Sequence, residues 1–131
     1  MTTSASLAES NKAVIRAFFE AGSQGDLDRV QELMADDIVI HQPAYLPYGG
    51  SYGKSQFPQL AATMSRYIEM RRARVVNLVA EGDYVFVVLS VPDARTGQEC
   101  TQGVQIRLRD GRLAENHVFF HDAGSMAQPV P

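Results

Sequence analysis

Residues 113–122 read LAENHVFFHD and follow Asp110-Gly111, a pair suited to a two-residue hairpin turn. The segment carries two of the chain's three histidines, two of its six phenylalanines, one asparagine and two carboxylates. A strand sends successive side chains to opposite faces, so this set divides in two. Asn116, Val118, Phe120 and Asp122 share one face, and Glu115, His117, Phe119 and His121 share the other. Which half faces inward decides whether the strand is a binding wall or a row of titratable groups.

Upstream of it, turn signals separate further strands: residues 74–81, Gly82-Asp83, residues 84–91, a loop at 93–97, residues 99–109, then Asp110-Gly111. Val104, Ile106 and Leu108 alternate with Gly103, Gln105, Arg107 and Arg109, which gives that strand one buried face. The first half of the chain is mostly helical. Over residues 7–21, Val14, Phe18 and Ala21 recur at helical spacing with Ile15 beside them, and Gly22 is suited to end the helix. Asp26 is placed to cap a second helix carrying Leu27, Val30 and Met34. Ile38-Val39-Ile40 reads as a brief strand that Pro43 ends, and a loop rich in Pro, Gly and Tyr follows. Ser55 opens a third helix to about Met70, with Phe57, Leu60, Met64, Tyr67 and Ile68 as its apolar stripe and Pro58 in its first turn. The order ααβα followed by a β-meander predicts an α+β fold with helices on one face of a curved antiparallel sheet, whose concave side is a natural cavity.

Composition bounds the function. With 131 residues, 45% hydrophobic and 21% charged, residues 1–131 fit a single domain with a core over about 7–124 and flexible ends at 1–6 and 125–131. A net charge of −3 and the absence of a basic stripe beyond Arg66, Arg71, Arg72 and Arg74 argue against nucleic acid. One cysteine, Cys100, excludes an internal disulfide framework. The opening MTTSASLAES has neither a basic start nor an apolar run, so no membrane span is expected and a cytoplasmic location is. No cofactor is called for. No metal site is expected either: His41, His117 and His121 lack a recognisable ligand spacing, and two residues four apart on a strand lie about 13 Å apart. YGGSYGKS has the ending of a phosphate loop, but Tyr48 occupies the position of the leading glycine and no parallel βαβ unit follows.

GDLDRV at 25–30, VIHQP at 39–43, LPYGGSYGKSQF at 46–57, GDYVFV at 82–87 and RLRDGRLAENHVFFHD at 107–122 together resemble the nuclear transport factor 2-like superfamily, in its SnoaL-like and ketosteroid-isomerase-like branch, over roughly residues 8–124. The resemblance implies a cone of three N-terminal helices and a curved sheet, a homodimer through the sheet's outer face, and an apolar pocket taking a hydrophobic small molecule. It also implies cofactor-free isomerisation, cyclisation or dehydration of an oxygenated substrate. Isomerase-like members carry a tyrosine on helix one, a carboxylate before the strand-one proline and a third-strand acid, and these positions match Phe18, Gln42 and Val104 here. Cyclase-like and epoxide-hydrolase-like members carry an acid at the position of Val118. None of the four residues present transfers a proton. The resemblance sets Gln42, Phe86, Val88, Asn116, Val118 and Phe120 inward; alternation along the last strand then adds Asp122 and turns Glu115, His117, Phe119 and His121 outward, unless a bulge flips the register.

The candidate catalytic set is therefore Gln42 and Asn116 to orient oxygen, with Gln102 as a further amide, and Asp122 to move a proton. Asp122 reads equally as a strand-end cap, and His41 as an acid or base or a polar edge residue. Phe18, Phe86, Val118 and Phe120 are expected to line the pocket. Tyr45, Tyr48 and Tyr52 either contact a ligand at its mouth or pack their loop onto the cone. The other reading of the whole chain is a noncatalytic ligand-binding or dimerisation module.

Overall fold

The computed structural model describes residues 4–131. The expectation for residues 1–3 lies outside the described residues. Helix α1 spans Ser4–Ser23 and α2 spans Leu27–Glu32. Asp26 caps α2 by accepting from the Arg29 amide at 3.1 Å. Strands β1 (Met34–Gln42) and β2 (Gly50–Tyr52) follow, then α3 (Phe57–Met64), and then β3 (Arg74–Glu81), β4 (Tyr84–Pro92), β5 (Glu99–Arg109) and β6 (Arg112–Phe120). Asp110 and Gly111 both take positive φ, 53° and 74°, as a primed hairpin turn requires.

The six strands form one open sheet in the order β2-β1-β6-β5-β4-β3. All neighbours are antiparallel except β1 and β6, which run parallel, so the expected antiparallel sheet is a mixed one. The cause is topological. After β2 the chain crosses through α3 to the far edge at β3, and the meander that returns from there brings β6 alongside β1 in the same direction.

Three register shifts, one in each of the β1–β6, β3–β4 and β5–β6 pairs, bend the sheet. The last decides the faces of β6. Leu108 pairs with Leu113 and Arg107 with Glu115, so Ala114 is the extra residue of a bulge. Leu113 and Asn116 consequently both point inward, although three positions apart on a strand would otherwise place them on opposite faces.

Inside lies a core in which Ile15, Leu60, Val85, Leu89, Ile106 and Leu113 are at most 2% exposed. Buried apolar area of this kind supplies most of the fold's stability.

Several boundaries differ from the sequence reading. β1 starts at Met34 rather than Ile38, because the pairing of Met34 with Leu113 extends it through the acidic pair Asp36-Asp37. α3 stops at Met64, where the Ser65 hydroxyl bonds back to the Ala62 carbonyl. Tyr67 and Ile68 thus leave the helix, yet both stay buried, Ile68 through a bridge to Asp93. β6 ends at Phe120, so His121 and Asp122 lie beyond it.

The C-terminal segment is fastened rather than loose. Met126 is fully buried, the Val130 amide donates to the Tyr67 hydroxyl at 3.1 Å, and Arg95 donates to the carbonyls of Ser125 and Gln128. Asp93 is the hub of this corner. It is 2% exposed and accepts from the Ser125 hydroxyl and from the amides of Arg95 and Thr96. Burial pushes its carboxyl up, but those hydrogen bonds and the nearby Arg95 charge outweigh burial and hold it below the usual carboxylate range.

A carboxyl depressed on folding contributes stability that is present above its unfolded pKa, near 3.8, and is lost as pH falls through the folded value. Asp93→Asn is therefore expected to cost about 2 kcal/mol at neutral pH, with the gap from wild type closing below about pH 4. Urea unfolding between pH 3 and 7 checks this. A gap that stays constant down to pH 3 would remove the ionic contribution.

Candidate functional site

The inner face of the sheet, α1, α2 and α3 enclose a cavity of about 600 Å³. Its wall is mainly apolar, with Phe18, Phe19, Leu60, Met64, Val104 and Val118 among the lining residues. Phe18 and Phe19 meet edge to face with centroids 5.1 Å apart, which fixes the α1 side of the wall. Glu69, Arg71 and Arg72 stand at the rim, and Arg72 Nη1 lies 3.4 Å from Glu69 Oε2.

Three neutral amides reach this cavity from three adjacent strands: Gln42 on β1, Asn116 on β6 and Gln102 on β5, respectively 8%, 6% and 4% exposed. Ile40 pairs with Asn116, and continuing that register sets Gln42 beside Val118, while Gln102 pairs with Phe120. The amides thus occupy three successive rows of the sheet, each about 7 Å from the next.

Their bonding is incomplete. Among the described residues, Gln42 Nε2 has only the Met64 sulfur at 3.7 Å, a weak acceptor, while Asn116 Oδ1 and Gln102 Oε1 are buried with no protein partner. Unpaired buried carbonyls cost stability in the empty protein, and a hydroxyl or amine brought by a ligand satisfies them. Rotating either amide by 180° would instead present its NH2 to a carbonyl.

Of the sequence-predicted residues, Gln42, Asn116, Phe18 and Val118 line the cavity and five aromatic side chains do not. Phe86 is on the outer face of β4, 38% exposed, because it pairs with Gln105 in the row that also holds His117. Val88 is on that outer face as well, since Val85, Val87 and Leu89 are the buried residues of β4. Phe120 packs half-buried against the core beyond the cavity wall. Tyr45 is 55% exposed. Tyr52 donates to the Tyr48 carbonyl at 2.9 Å. Tyr48 is buried against Tyr67, centroids 5.3 Å apart, and burial drives its phenol well above the usual range. The tyrosine loop therefore packs onto the cone.

Asp122 lies outside the cavity, exposed, with Oδ1 accepting from the Gly124 amide at 2.9 Å. The strand ends before it, so alternation no longer carries it inward, and its observed place is the turn cap. Among the described residues no titratable group stands between the three amides, and the carboxylate on the wall is Glu69, at the rim. The sequence reading missed Glu69 because α3 was extended through it.

Residues 15–116 match the SnoaL-like domain family. The chain belongs to that family. Among curated proteins there is no match. Solved structures share the fold at low identity. Bal32a, from a soil-derived mobile gene cassette, superposes with a TM-score of 0.77 at 18% identity, covering 89% of this chain and 93% of its own. A candidate ketosteroid isomerase from Kribbella flavida gives 0.75 at 17%, covering 95% and 84%. A candidate polyketide cyclase from Sinorhizobium meliloti gives 0.69 at 21%, covering 82% and 94%. At these identities the likeness establishes the nuclear transport factor 2-like fold and leaves activity to the site. Among the described residues, no helix of this SnoaL-like chain is long and apolar enough to cross a membrane.

Proposed function

We propose that the cone binds a hydrophobic small molecule bearing carbonyl or hydroxyl oxygens, held by Gln42, Gln102 and Asn116, and that any turnover is cofactor-free isomerisation or cyclisation. The observation that carries this reading is the pair of unpaired amide oxygens inside an otherwise apolar cavity of about 600 Å³, a size suited to a drug-sized ligand. Neutral amides polarise or orient an oxygen but do not exchange protons at ordinary pH. The names of the cyclase and isomerase neighbours are consistent with the reaction class.

The noncatalytic reading is favoured by a separate observation. Phe18, Gln42, Val104 and Val118, the positions where the resemblance expects acids or a tyrosine, all line the cavity and none transfers a proton. The same proposal extends to a homodimer through the outer face, where Val39, Val79, Tyr84, Phe86 and Phe119 are exposed.

A panel of enones, hydroxy-ketones and epoxides tests both readings by calorimetry and by turnover. Wild type is expected to bind at least one class, and Gln42→Leu to weaken that binding tenfold or more, as loss of one buried hydrogen bond of about 1.4 kcal/mol requires. Asp122→Asn is expected to change neither binding nor rate. Binding without turnover selects the noncatalytic reading. Affinity indifferent to Gln42 and Asn116 substitutions would overturn the site.

A further inference from the structure

The parallel pairing of β1 with β6 brings together, on the outer face of the sheet, residues far apart in sequence. His41 pairs directly with His117, and Val39 with Glu115, so His41, His117 and Glu115 project side by side away from the cavity. The two imidazoles stack with centroids 4.3 Å apart and planes 16° from parallel. His41 Nε2 lies 2.9 Å from Glu115 Oε2, and one ligand-type atom from each of the three residues falls within 4.8 Å of the others.

We propose that His41, Glu115 and His117 form a binding site for a borderline divalent transition metal, of which Zn2+ is the representative ion. This site is distinct from the cavity and independent of its function.

The chemistry fits the ion. Two imidazole nitrogens and one carboxylate oxygen are a donor set that zinc accepts, with water completing the tetrahedron. Bonds of about 2.1 Å place tetrahedral ligand atoms about 3.4 Å apart. The observed spread of at most 4.8 Å is within reach, but the stacked rings must turn out of parallel so that both in-plane lone pairs converge on the ion, and the 2.9 Å contact between His41 and Glu115 opens as the ion enters between them.

The surroundings support the same role. His41 Nδ1 is 3.0 Å from the Ser51 hydroxyl on β2. A metal would replace the Nε2–H···Glu115 hydrogen bond: the ring then keeps its proton on Nδ1, donates it to the Ser51 hydroxyl and presents its Nε2 lone pair to the ion, the outer-sphere arrangement that orients metal-bound histidines. Arg107 Nε stands 3.9 Å from Glu115 Oε1, the other carboxylate oxygen, leaving Oε2 directed at the site. In the single chain His41 and Glu115 are each about one-third exposed, which leaves room for water to complete the coordination.

The test uses the full chain, untagged and stripped of metal, titrated with Zn2+ by calorimetry at neutral pH. One Zn2+ per chain is expected; Co2+ added to the metal-free protein is expected to give the visible absorption of a tetrahedral site that Zn2+ then abolishes, and Mg2+, a hard cation that prefers oxygen ligands, is expected not to compete. His41→Gln and His117→Gln are each expected to weaken binding tenfold or more and Ser51→Ala by less, with far-UV circular dichroism unchanged. His121→Gln serves as the control and is expected to bind as wild type does. Absence of binding in wild type, unchanged affinity in both histidine variants, or one ion per two chains would overturn the assignment. Because binding is read without any organic ligand, failure of this site and failure of the cavity reading are distinguishable.

Discussion

Asn116→Leu is expected to raise the stability of the empty protein while abolishing ligand capture. Asn116 is 6% exposed and its Oδ1 has no protein hydrogen-bond partner among the described residues. A buried acceptor left unpaired costs about 1–3 kcal/mol relative to a satisfied or an apolar group. Leucine branches at Cγ as asparagine does, so it fills the same space beside Ile106 and Ile40, the residues that pair with Asn116, without a polar atom. The cavity in front of it leaves room for the small difference in shape. Removing the penalty should move the thermal midpoint upward by roughly 3–10 °C for a chain of this size. Gln102→Met, similar in length and unbranched, is expected to act in the same direction, because Gln102 Oε1 is unpaired too. The same substitutions remove the groups proposed to meet the ligand's oxygens. Stability and binding should therefore move oppositely, as expected where a binding site retains polar groups at a cost to the fold. Thermal unfolding with and without a ligand found by the panel checks this. If Asn116→Leu lowers the midpoint, the carbonyl is satisfied in solution, and the main support for the cavity as a binding site is lost.

Removal of residues 124–131 is the second large effect, an expected loss of about 3–5 kcal/mol. The composition of this segment, with Gln128-Pro129-Val130-Pro131 at its end, reads as a loose tail. In the structure Met126 is fully buried, and truncating a buried methionine to alanine alone costs about 2–5 kcal/mol. The deletion also strips Asp93 of the Ser125 hydroxyl and Tyr67 of the Val130 amide. Arg95, which lies 5.6 Å from the centre of the Tyr67 ring, loses its two carbonyl acceptors. Met126→Ala in the full chain separates the packing contribution from the hydrogen bonds and is expected to account for at least half of the loss. Urea denaturation of both variants measures it. A truncated chain as stable as wild type would show that the segment contributes nothing to the fold.

The expected fates of His117 and Asp122 differ for a physical reason. Within β6, alternation is a local property, so once the register of one residue is set the outward turn of Glu115 and His117 follows from the sequence. Asp122 lies two residues beyond the last paired position, where the chain is free of the pleat, and extending the alternation to it fails. The same limit applies to β4. Val85, Val87 and Leu89 fill the inner face, but an apolar stretch such as YVFVVLSV alternates too weakly to show which half is inside, and Phe86, which the resemblance places inward, lies on the outer face. The bulge at Ala114 leaves no mark in composition at all. It becomes visible only in the pairing of Leu113 with Leu108 and of Glu115 with Arg107.

The amino-acid sequence by itself determined the helical first half, the strands of the meander and the hairpin turns at Gly82-Asp83 and Asp110-Gly111, because capping, turn chemistry and periodicity act over a few residues, while β2 reads as loop and Gln42 and Asn116 became candidates only through the family resemblance. Tertiary structure alone decided that β1 lies parallel to β6, that the C-terminal segment is tied to Asp93, and that His41, Glu115 and His117 share one patch. The first and last depend on which strands meet across more than seventy residues of intervening chain, and the tie to Asp93 on a contact 32 positions apart. That choice is made by burial of the whole core, to which each residue contributes a little and which no short segment encodes.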